Sequence, residues 1–160
     1  ASTANLSLTI LRSPVIMGPQ ADNFITKALF KPFMVGLKGF DPPLQFTHET
    51  DIIDLICFLL KHWHNGIFNV ASSDTIKWSE ISRAAGLKLF WIPPRLIRLI
   101  TSITWLLRLQ NDAPAEGLRW IQYPWIADTQ KLSRETLFQF RYTTQQALQD
   151  YLESAGKNSS

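Results

Sequence analysis

The sequence predicts an α/β fold. Two short β-rich runs, LSLTILR (6–12) and GIFNVAS (66–72), stand among segments of helical periodicity. From Asp51 the apolar residues fall at Ile52, Leu55, Ile56, Leu59, Leu60 and Trp63, a wide stripe at helical spacing. A second amphipathic stretch runs from 94 to 109. Strands alternating with helices argue for an α/β class.

A chain of 160 residues suits one domain, and 46% apolar against 18% charged residues makes it globular rather than disordered. The net charge is +3, and the Lys and Arg residues are scattered, which argues against a nucleic-acid partner. Cys57 is the single cysteine, so no internal disulfide forms, and a reducing, cytoplasmic location is expected. It lies in an apolar run without an evident basic neighbour, which predicts a buried, inert thiol. The opening ASTANLSLTILRSP lacks the charged and then continuously apolar pattern of a signal peptide. No window reaches the ~20 apolar residues of a membrane span. The nearest, 94–109, carries Arg95, Arg98 and Arg108.

Each element has its own signals. Pro14 closes the first strand. SPVIMGPQ (13–20) reads as a loop with a Gly18-Pro19 turn. Residues 21–31 read as a helix with Asp22 near its cap and Pro32 at its end. FMVGLKG (33–39) is extended, and Pro42-Pro43 forces an extended entry to the next segment. IKWSEISRAAG (76–86) reads as a helix with Gly86 just past its end. Its capping box is weak, because Lys77 stands where Glu80 would want Ser or Thr. On 94–109, Leu96, Leu99, Ile100, Ile103, Leu106 and Leu107 share one face, opposite Arg98, Ser102 and Trp105. That face is expected to pack on the core. NDAPAEG (111–117) is the most loop-like stretch. Asp128 caps a helix over DTQKLSRETL, and Thr143 and Gln146 stand in capping-box register for a helix over 143–154. The tail after 157 is expected to fray.

The stretch LQFTHETD (44–51) holds the most chemistry. Asp51 stands directly before the helical stripe, where a carboxylate accepts free backbone N–H groups and faces the positive end of the dipole. His48 sits three residues earlier and either lines a cleft or bonds locally. A metal site there would need further ligands. His62 and His64 lie at the far end of the same helix, roughly 20 Å away at 1.5 Å per residue. No Ser or Cys nucleophile motif accompanies His48. Gly-x-Ser-x-Gly, His-Glu-x-x-His and paired cysteines are absent, which argues against a hydrolase.

Four stretches in order resemble the extended short-chain dehydrogenase/reductases of the NAD-dependent epimerase/dehydratase family. LTILRSPVIMGP is similar to the strand that ends in Arg-x-Pro before a Gly-Pro turn. GFDPPLQFTHETDIIDLICFLL is similar to the Phe-x-His-x-x-Asp strand-to-helix junction. GIFNVASSDTIKWSEISRAAG is similar to the Tyr/Phe-Asn-Val strand and its helix. WIADTQKLSRETLFQFRYTTQQAL is similar to the terminal Asp-x-x-Lys helix and the closing helix. LFQFRY stands where the family has Leu-Gly-Trp-x-Pro, which marks a divergent branch.

The resemblance implies the C-terminal part of a Rossmann-like parallel sheet plus a mainly helical substrate-binding lobe, over 1–157, with 158–160 a frayed tail. It implies that the dinucleotide-binding half is missing. The seven glycines never take the Gly-x-x-Gly-x-x-Gly spacing that cradles a pyrophosphate. The catalytic Tyr-x-x-x-Lys is also absent: Ala127, Gln146 and Ala155 stand four residues after Tyr123, Tyr142 and Tyr151. By the same resemblance Ser13, Pro14, Val15 and Ile16 match the loop at the nicotinamide end of the cofactor site. Gln45, Phe46 and His48 match positions near the substrate mouth. The complete enzyme would use NAD or NADP and a nucleotide sugar or similar small molecule, while the chain alone would be inactive and bind no cofactor. Its open strand edges call for the missing half or for self-association. The alternative is a non-catalytic interaction or membrane-surface module built on the helix 94–109.

Overall fold

The structure, a computed structural model, describes residues 7–29, 31–106 and 122–157. The first half of the chain forms β1 (Thr9–Arg12), β2 (Val15–Met17), α1 (Phe24–Leu29), β3 (Phe33–Leu37), β4 (Pro43–Leu44), β5 (Phe46–His48) and α2 (Glu49–Lys61). There follow β6 (Gly66–Asn69), β7 (Ile76–Lys77), α3 (Trp78–Ala84), β8 (Lys88–Ile92), α4 (Pro94–Leu106), α5 (Gln130–Thr136) and α6 (Thr144–Lys157). The chain divides into two compact units. One comprises Ala1–Ala21, Gln45–Thr75 and Ile126–Ser160, the other Asp22–Leu44 and Ile76–Trp125.

In the first unit Pro14 splits an extended run into two strands. A proline has no N–H to give a ladder, and the run changes partner there. β1 pairs in parallel with β6, Leu11 opposite Phe68, and β2 pairs in parallel with β5, Val15 opposite Phe46. Residues 13–20 are therefore not simply a loop, because Val15–Met17 are held straight by β5. One face of β1–β6 packs under α2 and α5: Leu55, Leu59, Phe68, Val70 and Leu132 are buried together, with Leu11, Ile52, Phe58, Phe138 and Phe140 around them. The other face leaves Ile10 and its register partner Ile67 about 40% exposed.

α2 buries Asp51, Leu55 and Leu59. Cys57 lies on the opposite face and is exposed, which corrects the expected buried thiol. α5 starts with Asp128 Oδ1 accepting from the Gln130 N–H at 2.9 Å. It ends in Leu137, a non-glycine in the left-handed region at φ 58°. The expected capping box of α6 forms in both directions. The Thr143 N–H donates to Gln146 Oε1 at 2.9 Å, and the Gln146 N–H donates to Thr143 Oγ1 at 3.1 Å. Asp74 adds a second cap, accepting from the Thr144 N–H.

The second unit is built on β3 and β8, parallel and in register from Phe33 opposite Lys88 to Leu37 opposite Ile92. β8 was not read from the sequence. Asn23, next to Asp22, caps α1, with Oδ1 accepting from Ile25 and Thr26, while Asp22 forms an exposed pair with Lys27. At α3 the Lys77 ammonium has no lone pair to offer. Glu80 accepts from the Lys77 N–H, and Asp41 supplies the missing cap through the Ser79 N–H and hydroxyl. The Trp78 indole N–H donates to the Val35 carbonyl at 3.0 Å and ties α3 to β3.

In α4, Ile97 is buried while Leu96, Leu99 and Ile100 are exposed. The expected packing of that face on the core is thus not realised at these three positions. Ile103, Leu106 and Leu107, and the loop at 111–117, fall outside the described side chains. Among the described residues no helix is long and apolar enough to cross a membrane.

Candidate functional site

β5 runs directly into α2, and His48 sits at the joint. Its backbone is extended, and its Nδ1 accepts from the Thr50 N–H at 3.1 Å, so His48 is the N-cap. A ring nitrogen that accepts holds no proton, which places the proton on Nε2. That nitrogen donates to Asp150 Oδ2 on α6 at 2.9 Å. The ring is buried and stacks on Tyr142, centroids 3.8 Å apart.

Asp51, expected as the cap, lies inside the first turn because α2 begins two residues earlier. It is wholly buried. Its two oxygens accept the backbone N–H groups of Arg141 and Tyr142, at 3.1 and 3.0 Å. The Arg141 guanidinium bonds Asp54 and stands 3.8 Å from Asp51. Glu49 reaches the other way and accepts from the Gln20 N–H at 3.1 Å. A Cβ on Gly18 would come within 2.6 Å of the Glu49 side chain, so only glycine fits there without displacing it. The first turn of α2 is thereby anchored to the end of β2 and to the entrance of α6. Two acidic side chains there also suit the positive end of the helix.

The sequence-derived candidates fall on adjacent strands. Val15 stands opposite Phe46, Ile16 opposite Thr47 and Met17 opposite His48. Ser13 and Ile16 are exposed, and Pro14 and Val15 are half-buried. Gln45, Phe46 and His48 are buried. Gln45 uses both ends of its amide: Nε2 donates to the Ser72 carbonyl at 3.0 Å, and Oε1 accepts from the Ala127 N–H at 2.7 Å. Phe46 is core. The exposed members of the set are therefore Ser13, before β2, and Ile16, within it, while Gln45, Phe46 and His48 lie buried alongside. Asp150, Tyr142 and Glu49 were missed by sequence reasoning. Their partners lie 29 to 102 residues away, and no local pattern announces such a pair.

A dinucleotide needs a glycine turn that lets backbone approach its pyrophosphate at a helix start. Among the described residues Gly39 follows β3, Gly66 opens β6, Gly86 ends α3 and Gly18 turns onto Glu49. None makes such a cradle, so these residues do not fit the pyrophosphate of NAD. Also among the described residues, no group of three His, Cys, Asp or Glu could hold a metal.

No family model matches the chain. Uncharacterized proteins of Mycobacterium tuberculosis and Mycobacterium bovis are 26% identical over 155 residues, 95% of this chain and 40% of theirs. Solved structures align over nearly the whole chain. The UDP-glucose 4-epimerase of Thermotoga maritima, with UDP-glucose, gives a TM-score of 0.66 at 13% identity, over 99% of this chain and 48% of that one. The Bordetella bronchiseptica enzyme WbmG, in complex with NAD and UDP, gives 0.65 at 15% identity, over 96% and 44%. The dTDP-glucose 4,6-dehydratase of Bacillus anthracis, in complex with NAD, gives 0.63 at 14% identity, over 94% and 44%.

The chain has the Rossmann-like α/β fold of these enzymes. It spans less than half the length of each of these solved structures and 40% of the mycobacterial relatives.

Proposed function

We propose that residues 1–157 are the substrate-binding part of an NAD(P)-dependent sugar-nucleotide epimerase, dehydratase or reductase. The dinucleotide-binding half, with its glycine turn and Tyr-x-x-x-Lys, is then supplied by further polypeptide. The observation that carries this reading is the asymmetry of coverage: similar enzymes cover 94–99% of the chain while the chain covers 44–48% of them. The sheet supports it. Parallel strands are ordinarily covered on both faces, yet Ile10 and Ile67 leave one face of β1–β6 open. The outer side of β6 is occupied, since Lys131 Nζ donates to the Ile67 carbonyl at 3.2 Å. Further strands would therefore join at β1.

In the complete enzyme, Ser13, Pro14, Val15 and Ile16 border the nicotinamide end of NAD or NADP. Gln45, Phe46 and His48 hold the floor of the substrate mouth, His48 by fixing the start of α2. The cofactor supplies hydride transfer when bound, and this chain's contribution is to position the sugar nucleotide. The chain alone is inactive.

Nucleotide-sugar binding tests the assignment. A thermal melt with excess UDP-glucose or UDP-galactose should show a saturable rise. A ligand at 100 times its dissociation constant adds about 2.7 kcal/mol. No rise with any nucleotide sugar at millimolar levels would remove the substrate site from this chain.

One observation favours the second reading, a membrane-surface module. Leu96, Leu99 and Ile100 are exposed on α4 beside Arg95 and Arg98, the composition of an interfacial helix.

A further inference from the structure

The net charge of +3 hides two unlike units. The segments 22–44 and 76–125 hold ten Lys and Arg against five Asp and Glu, while the rest of the chain holds six against eight. In the basic unit the described acids are already engaged. Asp22 pairs with Lys27, Asp41 accepts from Ser79, and Glu80 accepts from the Lys77 N–H. Among the described residues Lys38, Lys88, Arg95 and Arg98 are exposed and have no ion pair.

These cations border apolar surface. β8 ends at Ile92 and α4 begins at Pro94, so Lys88 and the two arginines belong to one stretch. Lys38 lies beside it, since its N–H donates to the Ile92 carbonyl at 2.9 Å. In β8, Phe90 and Trp91 are both exposed, and α4 buries Ile97 while Leu96, Leu99 and Ile100 stay open to solvent. Positions 96, 99 and 100 fall on one face of a helix. Arg95 stands in the first turn, where the positive end of the helix disfavours a cation, and no acidic residue there offsets it.

Charge and apolarity together select the occupant. A nucleic acid would answer the cations and leave Leu96, Leu99 and Ile100 against phosphate and sugar. A protein face that covered the aliphatic residues would also have to bring a carboxylate to each cation, or leave it desolvated and unpaired. An anionic bilayer answers both at once. Aliphatic side chains enter the acyl boundary, while the stems of Lys and Arg lie along apolar surface and their heads stay among the phosphates.

We propose, on the membrane-surface reading, that the basic unit docks on a leaflet of anionic phospholipid. Leu96, Leu99 and Ile100 meet the acyl boundary, and Lys38, Arg95 and Arg98 meet the phosphates. Binding is reversible and weakens with salt, because exposed charges carry much of it.

Flotation of the 160-residue chain with vesicles tests this. One set is pure phosphatidylcholine, the other an equal mixture with phosphatidylglycerol. The chain should float with the mixed vesicles, less so as salt rises, and stay behind with the neutral ones. Arg95→Gln and Arg98→Gln should each weaken binding about fivefold, the worth of one cation near an anionic surface. Both side chains are exposed, so the melting temperature should not move. Lys61→Gln, an exposed cation of the other unit, should bind as the wild type does. Flotation with neither vesicle would overturn the membrane reading and this proposal with it. Equal flotation with both would leave that reading standing and overturn the anionic docking. So would anionic binding that survives the double Arg95→Gln, Arg98→Gln variant, or a chain that binds duplex DNA and no vesicle.

Discussion

His48 and Asp150 stand 102 positions apart in the sequence and 2.9 Å apart in the structure. The bond joins the N-terminus of α2 to α6. The other nitrogen of the same ring caps α2 through Thr50. One side chain thus closes a helix end and links two elements of one unit.

His48→Ala should therefore destabilise by two separate amounts. Loss of the cap costs about 0.5–2 kcal/mol, and loss of the Asp150 bond about 1 kcal/mol more. His48→Asn should recover part of the cap and none of the cross-link. Urea unfolding of the three proteins measures this. An alanine variant within about 0.5 kcal/mol of wild type would show that the joint contributes nothing.

Asp51 is the harder residue to replace. Removing its carboxylate takes the acceptor from two part-buried N–H groups, and a buried group left unsatisfied costs up to about 1–3 kcal/mol. We expect Asp51→Ala to lose about 3 kcal/mol or more, and Asp51→Asn to fall between it and wild type. Equal stability of the Asn and Ala variants would mean that the carboxylate is not what holds 141 and 142.

Leu137 should be improvable. A non-glycine in the left-handed region carries roughly 1–2 kcal/mol of strain, and this side chain is 81% exposed, so little packing is lost with it. Glycine's larger loss of chain entropy offsets part of that gain. Leu137→Gly should raise stability by about 0.5–1 kcal/mol. A fall in the unfolding midpoint would contradict this.

The α4 reading makes its own prediction. If the exposed Leu96, Leu99 and Ile100 meet lipid, the chain should co-sediment with anionic liposomes. Leu99→Glu should abolish that without changing the melt. Absence of binding to anionic vesicles removes the membrane reading.

The parts legible in the sequence were those with a local cause. The stripe of α2, the Thr143–Gln146 capping box and the strands at LTILR and IFNVA all follow from spacing or side-chain type within a few residues. β2 and β8 do not. Val15–Met17 and Lys88–Ile92 are short, and what makes them strands is the parallel partner each finds elsewhere. Asp51 misled because an acidic residue before a stripe satisfies the rule for a cap. Its actual partners, the N–H groups of 141 and 142, lie about 90 residues on. Cys57 misled because α2 is apolar on two sides, and periodicity cannot say which side the core takes. The candidate site was legible as two segments, 13–16 and 45–48. That they form paired strands, with the first more open than the second, needed the fold.

The chain has a Rossmann-like α/β fold, and we propose that by itself it binds no dinucleotide. A thermal melt with and without excess NADH and NADPH tests it most directly. A ligand bound only by the folded state, at 100 times its dissociation constant, adds about 2.7 kcal/mol. We predict one cooperative transition that neither cofactor moves. A saturable rise with either would mean that these residues build a dinucleotide site without the glycine turn, and would contradict the account.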